Sequence, residues 1–420
     1  MSATERTVTN ILMTCPEDRG TGGVQQVFRD LIRALEQEHR HVHLLYQGAL
    51  PSVRQGALPS VRLASGTNAW GREAFSCAMP TLVRNSVLLS FLVGLVYWPL
   101  TLFHLIRLFR RKRIDAVNCH YLAEYFIYLI IVGRLMRVPV VISVHGADVD
   151  RYAKVSRCRR LLLRLVIGGA DRIVACSDAM ARRTLGVFPA ARGKITHVHN
   201  GLDLAPTSAT DEAPPVAGPF VLTVCRQVEK KGVDTLLRAF TLIEREFPNV
   251  TLVVIGDGPL LERNQMLARS LDIEGRVAFL GDMRHDRALS YFAQCALLVV
   301  PSRAEPFGLV VLEGAYYKKA MVCTRVGGIP EIVADSDSAY LVEPDDPAAM
   351  AAKMRILLRE RELAGRFGAR AHQALIERFR WEDRVRDYIA IYEGRYRDTA
   401  GDVGVAREAS RDSVRAASSR

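Results

Sequence analysis

The chain has no CxxC and no closely paired cysteines. Its eight cysteines, Cys15, Cys77, Cys119, Cys158, Cys176, Cys225, Cys295 and Cys323, stand singly. That pattern fits reduced thiols in a cytosol better than a disulfide frame or a zinc site. The first residues, MSATERTVTN, carry charges before any apolar run and lack a signal-peptide pattern, so a secreted chain is not expected. Aromatics are scarce at 7%, and the basic residues mix with aliphatic runs rather than with stacking rings, so no nucleic-acid partner is expected.

What is present is an apolar, basic chain of 420 residues with a net charge of +12, long enough for two ordinary domains. The charge is uneven. Residues 1–203 hold 27 Lys/Arg against 14 Asp/Glu, whereas the remainder hold 30 against 31. A basic half fits acidic lipid or an anionic substrate.

Short apolar runs alternate with longer amphipathic segments, the pattern of parallel α/β sheets. The first half predicts strands at TVTNILM, HVHLLY, DAVNCH, PVVISVH, RIVACS and KITHVH. The second predicts them at FVLTVC, TLVVIG, RVAFLG, ALLVVPS, AMVCTR and AYLVE. Residues 204–219, LAPTSATDEAPPVAGP, have linker composition. The expected organisation is therefore a domain at 1–203, a linker at 204–219 and a second domain at 220–378. A helix at 379–398 and a disordered tail at 399–420 follow. Ligands of such sheets collect beyond the carboxyl ends of the strands. The tandem repeat QGALPSVR, at 47–54 and 55–62, reads as a duplicated loop without an assigned function.

Residues 85–106, NSVLLSFLVGLVYWPLTLFHLI, carry no Asp, Glu, Lys or Arg, and Arg107, Arg110, Arg111, Lys112 and Arg113 follow. The stretch is long enough to span a bilayer, but a crossing would split the first sheet between two compartments. The alternatives are a buried helix broken near Pro99 and a helix that dips into one leaflet beside a basic patch.

Two glutamates eight positions apart, Glu305 and Glu313, lie in the apolar run VVPSRAEPFGLVVLEGAYYKKA. An ionised carboxylate there is costly unless it is hydrogen-bonded, and sugar hydroxyls would suit. Glu313 could equally be a partly exposed helix residue. A helix is expected to begin near Gly308, where the free N–H groups of Gly308 and Leu309 would suit a diphosphate. Arg226 and Lys231 follow a predicted strand, and Gly232 allows a tight turn. Two cations beside a bound diphosphate would neutralise a leaving group.

In order and spacing the chain resembles the retaining glycosyltransferases of family 4, the group 1 glycosyltransferases, which have the GT-B arrangement of two Rossmann-like domains facing a cleft. The resemblance rests on GTGGVQQVFRDLIRAL (20–35), SVHGADVDRY (143–152), ACSDAM (175–180), VHNGLD (198–203), VCRQVEKKGVDTLLRAF (224–240), IGDGPL (255–260), RVAFLGDM (276–283), VVPSRAEPFGLVVLEG (299–314) and TRVGGIPEIV (324–333). It implies that Arg226, Lys231 and the N–H groups at Gly308 and Leu309 hold the diphosphate of a nucleotide-sugar donor. Glu313 would accept from the ribose, and Glu305 would hold the sugar. His145 would lie near the anomeric centre, and Gly22 and Gly23 would bring backbone close to phosphate or acceptor. The C-terminal helices around RWEDRVRDYIAIY would cross back to the first domain.

Each residue also has a plainer reading: His145 as a structural histidine, Gly22–Gly23 as an ordinary turn, Gly256 and Gly258 as a tight turn after a strand. Asp148 and Asp150 imitate a metal-binding Asp-x-Asp, but no metal or cofactor is expected. The chain departs from the family after Glu313, where Gly-Ala-Tyr-Tyr-Lys-Lys lacks a helix-ending glycine, and in SDSAYLVEP, which lacks a glycine before its strand. The expected activity is transfer with retention, by a front-face route, to a hydroxyl acceptor. That acceptor would be a lipid-linked or cell-envelope glycan, reached by a cytoplasmic enzyme peripheral on the membrane through residues 85–113. The rival readings are an inactive sugar-nucleotide-binding scaffold and an integral membrane protein.

Overall fold

The computed structural model describes residues 7–14, 23–47, 64–68, 72–79, 87–203 and 218–396. Two sheets organise them. The first contains β1 (Asn10–Thr14), β2 (His41–Gln47), β3 (Ala64–Thr67), β4 (Glu73–Cys77), β5 (Ala116–His120), β6 (Val140–Val144), β7 (Arg172–Ala175) and β8 (Ile195–His197). Their spatial order is β3-β4-β2-β1-β5-β6-β7-β8, and every neighbouring pair is parallel except β3 with β4. The second contains β9 (Phe220–Val224), β10 (Thr251–Ile255), β11 (Val277–Phe279), β12 (Leu297–Val300), β13 (Met321–Thr324) and β14 (Tyr340–Val342). It is all-parallel in the order β11-β10-β9-β12-β13-β14.

All twelve predicted strands are present. β5 and β6 are buried along their whole length, because helices cover both faces of a parallel sheet; the Asn118 this buries in β5 hydrogen-bonds to Tyr392 and Ser143. β3 and β4 were not anticipated. The short ASGT and EAFSC segments lack a strong apolar run and are added at one margin of the sheet.

Strand order reverses direction between β1 and β5 in the first sheet and between β9 and β12 in the second. In open α/β sheets the crevice at that reversal, beyond the carboxyl ends of the strands, is where ligands bind. The loops after β6, β9 and β12 are thereby brought to one cleft.

The helix Trp381–Tyr392 packs with Gly23–Gln37 against the first sheet, joined through one apolar cluster. Tyr392 accepts a 2.7 Å hydrogen bond on its hydroxyl from Asn118 in β5, and Leu202 N donates to Phe379 O at 2.8 Å. A Cβ at Gly201 would stand 2.8 Å from the Trp381 ring, so a bare backbone lets this return segment dock.

The expected break near Pro99 is not found. One helix runs over Val87–Lys112 with Pro99 inside it. Proline removes one intrahelical hydrogen bond, but tertiary contacts hold the second half in place: Leu105, Leu108 and Phe109 are buried, and Thr101 Oγ1 donates to Ala78 O at 2.9 Å. Among the described residues no helix is long and apolar enough to cross a membrane. The tandem repeat beyond Gln47, most of the linker, Gly22 and the tail lie outside the described residues.

Both departures from the family pattern are absorbed by residues other than glycine at positive φ. Lys318 (φ 53°) ends the helix Leu309–Tyr316, with Lys319 N donating to Gly314 O at 2.9 Å. Ser336 (φ 59°) makes the turn before β14, donating through its backbone N to Ala339 O at 2.8 Å.

Candidate active site

After β9 the chain forms a loop, a 3-10 turn at Glu229–Lys231, and the helix Val233–Thr241. Three glycines permit this path. Gly232 (φ 64°) turns the chain where a Cβ would stand 2.1 Å from Pro301 O. Gly256 and Gly258 lie against the carbonyls of Cys225 and Gln227, at 2.1 and 2.4 Å from a notional Cβ. The expected tight turn is thus the backing of the loop that carries Arg226. Gln227 fastens it: wholly buried, it donates through Nε2 to Gly256 O at 2.9 Å and accepts through Oε1 from Asn264 at 2.8 Å. Arg226 is exposed and has no carboxylate partner among the described residues.

Lys231 points to the loop after β12. Its Nζ donates to Glu305 Oε2 at 2.5 Å, and Ser302 Oγ donates to the same oxygen at 3.3 Å. Burial alone would lower the Lys231 pKa, but the adjacent Glu305 carboxylate outweighs it and the net shift is upward. The pair is therefore an ion pair, with side chains 20% and 10% exposed. Arg303 braces the surroundings, donating to Asp234, Asp345 Oδ1 (2.7 Å) and Glu229 O (2.7 Å). Glu305 itself is pressed against Gly327 (φ 53°), where a Cβ would overlap Glu305 O at 1.7 Å, and Gly328 N donates to that carbonyl at 3.2 Å.

Gly308 (φ 116°) precedes the helix Leu309–Tyr316, and no side chain caps it. The first N–H groups of that helix are thus left to a ligand or water. Glu313, in its second turn, has its carboxylate 3.8 Å from His285 Nδ1. That imidazole has its pKa lowered by burial against the opposing pull of Asp286, so it is a poor counter-charge. Burial, and then the charge of Asp30, push the Glu313 carboxyl up to about 8. Asp30 lies on the first-domain helix Gly23–Gln37. Burial raises it to about 6 although Gln26 Nε2 donates to both its oxygens, at 2.9 and 3.0 Å.

The opposite wall is formed by the end of β6. His145 is buried, and its Nε2 meets Nδ1 of buried His120 at 3.1 Å. Burial lowers both pKa values, with Asp148 opposing the shift at His145 and the His145 charge adding to it at His120. His120 Nε2 has no partner among the described residues. Asp148 accepts from the backbone N–H groups of Leu122 (2.8 Å), His145 (3.1 Å) and Gly146 (2.8 Å), while Asp150 pairs with Arg183 at 2.6 Å. The Asp-x-Asp is thus divided: Asp148 shapes the turn that presents His145, and Asp150 makes a surface pair.

The walls touch. A Cβ at Gly146 (φ 105°) would stand 2.5 Å from Pro306 Cγ, so the residues after His145 and after Glu305 are in contact. Gly23 similarly faces Leu309, 2.9 Å from a notional Cβ to Leu309 Cδ1. Arg226, Lys231, Glu305, Gly308, Leu309 and Glu313 share the second-domain wall, and His145 and Gly23 face it. Sequence reasoning missed His120, Gln227, Arg303 and Glu331. The quoted motifs VCRQ, PSRAE and GGIPE contained the last three without showing what they touch, and His120 ended a predicted strand.

Comparisons with known proteins bear on the family and the fold. Residues 21–206 match Glycosyltransferase Family 4, and residues 207–374 match Glycosyl transferases group 1. The chain is 28% identical over 302 residues to N-acetyl-alpha-D-glucosaminyl L-malate synthase of Bacillus anthracis, covering 69% of this chain and 77% of that one. It is 32% identical over 247 residues to D-inositol 3-phosphate glycosyltransferase of Acidothermus cellulolyticus, covering 54% of each. Among solved structures, sucrose-phosphate synthase from Thermosynechococcus elongatus superposes with a TM-score of 0.69 at 20% identity, over 92% of this chain and 98% of that one. Anabaena HepE in complex with UDP gives 0.69 at 17% identity, over 92% and 100%. Two consecutive family matches, named transferase relatives and paired parallel sheets around a cleft converge: the chain is a glycosyltransferase of family 4 with a GT-B fold.

Proposed function

We propose that this enzyme moves a sugar from a nucleotide-diphosphate donor to a hydroxyl acceptor with retention of anomeric configuration. The observation that carries this reading is the Lys231–Glu305 ion pair, together with an exposed Arg226 that has no carboxylate partner among the described residues and an uncapped helix start at Gly308. An arriving diphosphate meets Arg226, Lys231 and the N–H groups of Gly308 and Leu309, which stabilise the charge that grows on it as the glycosidic bond breaks. Glu305, partly released from Lys231, accepts from sugar hydroxyls. His145, pKa-lowered and hydrogen-bonded to His120, offers a neutral imidazole from the opposite wall. No carboxylate stands out as a covalent nucleophile. The acceptor attacks from the face that the phosphate leaves, and the departing oxygen helps take its proton. HepE has been seen with UDP-glucose, which supports this donor class. Metal independence belongs to the same reading, because fixed cations do the neutralising, and undiminished turnover in EDTA tests it. A donor screen read by product mass spectrometry, with the anomeric configuration assigned by NMR, tests the whole; an inverted product or no transfer from any nucleotide sugar overturns it.

The acceptor is a lipid-linked or cell-envelope glycan at the cytoplasmic face of the membrane. The helices Val87–Lys112, Ile127–Met136 and Arg157–Gly169 pack side by side on one face of the first sheet. The exposed large apolar side chains of the first domain, Leu100, Phe103, Leu135, Leu161 and Leu165, all lie on these helices among the described residues. Exposed Arg107, Arg110, Arg111 and Arg157 accompany them. Apolar side chains among cations that are unopposed among the described residues suit an anionic bilayer surface. Cosedimentation with phosphatidylglycerol vesicles at low salt is expected, and Leu161→Glu with Leu165→Glu is expected to weaken it; absence of binding at low salt overturns the location.

A further inference from the structure

Away from the donor-contacting residues, one carboxylate joins the two domains. Glu331 sits in the short helix Ile329–Ile332, just after the Gly327–Gly328 pair that supports Glu305. Its Oε2 accepts from Asp178 N at 2.9 Å and its Oε1 from Ala179 N at 2.8 Å. Both donors are at the start of the first-domain helix Asp178–Val187, where N–H groups lack intrahelical partners and the dipole favours an anion. His199 Nε2, after β8, lies 2.8 Å from the same Oε2. Burial would raise the Glu331 pKa, but the His199 contact and the two N–H groups outweigh it and hold the carboxyl below its usual range.

Neighbouring contacts extend the joint toward the reacting centre. Ser177 Oγ donates to Pro306 O at 2.6 Å and also accepts from Met180 N at 3.0 Å as the helix cap. A Cβ at Gly328 would be 3.0 Å from Ser177 Cβ. The His199 ring stacks on Phe307 at 5.7 Å between centroids and lies 5.4 Å from Phe379 in the return segment. The residues on either side of the joint, Pro306 and Gly146, are the ones next to Glu305 and His145.

We propose that Glu331 is the latch of the closed cleft: a positioning residue whose carboxylate bridges the two domains and thereby sets Glu305 opposite His145. It is not one of the residues assigned above to the donor. Domain opening breaks three interdomain hydrogen bonds to one carboxylate, and closure re-forms them as a unit. The inference rests on the reading of the cleft as the place of transfer.

The test uses the full chain with Glu331→Ala and Asp178→Pro. The second variant acts from the other domain. Proline suits the first helical position, and the preceding Ser177 is already extended (φ −158°, ψ 161°), so the substitution deletes one donor without breaking the helix. Glu331→Ala is expected to lower kcat about 10- to 100-fold, the cost of misplacing reacting groups by about 1 Å. Asp178→Pro is expected to lower it less. UDP or ADP affinity, measured by calorimetry, should stay within about two-fold, because the nucleotide is held by the second domain. Small-angle scattering should show both variants more expanded than wild type. Unchanged kcat and unchanged radius in both variants overturn the latch, as does a fall in nucleotide affinity as large as the fall in kcat. If wild type transfers no sugar yet the variants expand, the latch stands and the transfer reading falls.

Discussion

Glu305 and Glu313 flank the same helix start but sit in opposite surroundings. Glu305 has a partly buried ammonium at 2.5 Å and a hydroxyl donor beside it. Glu313 has a second carboxyl, Asp30, as its charged influence, a pKa-lowered His285 at 3.8 Å, and a pKa near 8. The sequence shows two equivalent-looking glutamates in an apolar run. The fold turns one into half of an ion pair and leaves the other short of donors. A ligand that brings negative charge to Lys231 and neutral hydroxyl donors to Glu313 relieves both.

The sharpest way to break this contrast is Glu305→Gln. Turnover is expected to fall by about 100-fold or more, as when a preorganised electrostatic group is removed. Nucleotide affinity should hold or rise, since Lys231 is freed for the diphosphate. Parallel loss of turnover and nucleotide affinity would show that Glu305 is a structural partner of Lys231 only.

Arg226→Ala and Lys231→Ala come next, each expected to weaken UDP or ADP binding and kcat together by about 10-fold or more, as for loss of a charge-assisted contact. Lys231→Ala should also destabilise the ligand-free protein, because it strands the Glu305 carboxylate. Arg226→Ala should not, as no carboxylate opposes it among the described residues. Equal Tm losses would dissolve the distinction between them.

The smallest effect concerns Glu313 and pH. Its folded pKa of about 8 lies above its ordinary value of 4.5. The folded state therefore holds a proton that the unfolded state has lost, and stability falls as pH rises through that window. Asp30, raised from 3.8 to about 6, adds its own loss at lower pH. Thermal melts between about pH 6.5 and 8.5 isolate Glu313 from it. Tm is expected to drop across that range by several degrees in wild type and to stay flat in Glu313→Gln. Nucleotide binding near pH 7 should release protons as ribose hydroxyls favour the carboxylate, seen as a buffer-dependent enthalpy. A wild-type melt as flat as the variant's would show Glu313 to be ordinarily ionised.

Much of this was legible beforehand. Buried parallel strands are written as near-continuous apolar runs, so β6, β9, β10 and β12 could be read directly. The Arg226–Lys231 and Glu305–Glu313 spacings marked the second-domain wall, because chemistry on consecutive loops of one sheet stays local in sequence. β3 and β4 were not legible, since short marginal strands lack an apolar signature. Lys318 and Ser336 show a further limit: a turn that glycine usually makes can be held by other residues when neighbouring hydrogen bonds enforce the positive φ.

The sequence by itself determined the two α/β sheets, the family and the residue types available on each wall of the cleft. Periodicity and local motif spacing are properties of short windows. Only the tertiary structure decided that Lys231 neutralises Glu305, that burial and then the charge of Asp30 raise Glu313, and that Glu331 reaches Asp178, Ala179 and His199 in the other domain. The Glu331 contacts join residues more than 130 positions apart. Their strength depends on burial and on a few tenths of an ångström. Those quantities exist only once both sheets are formed and the cleft between them has closed.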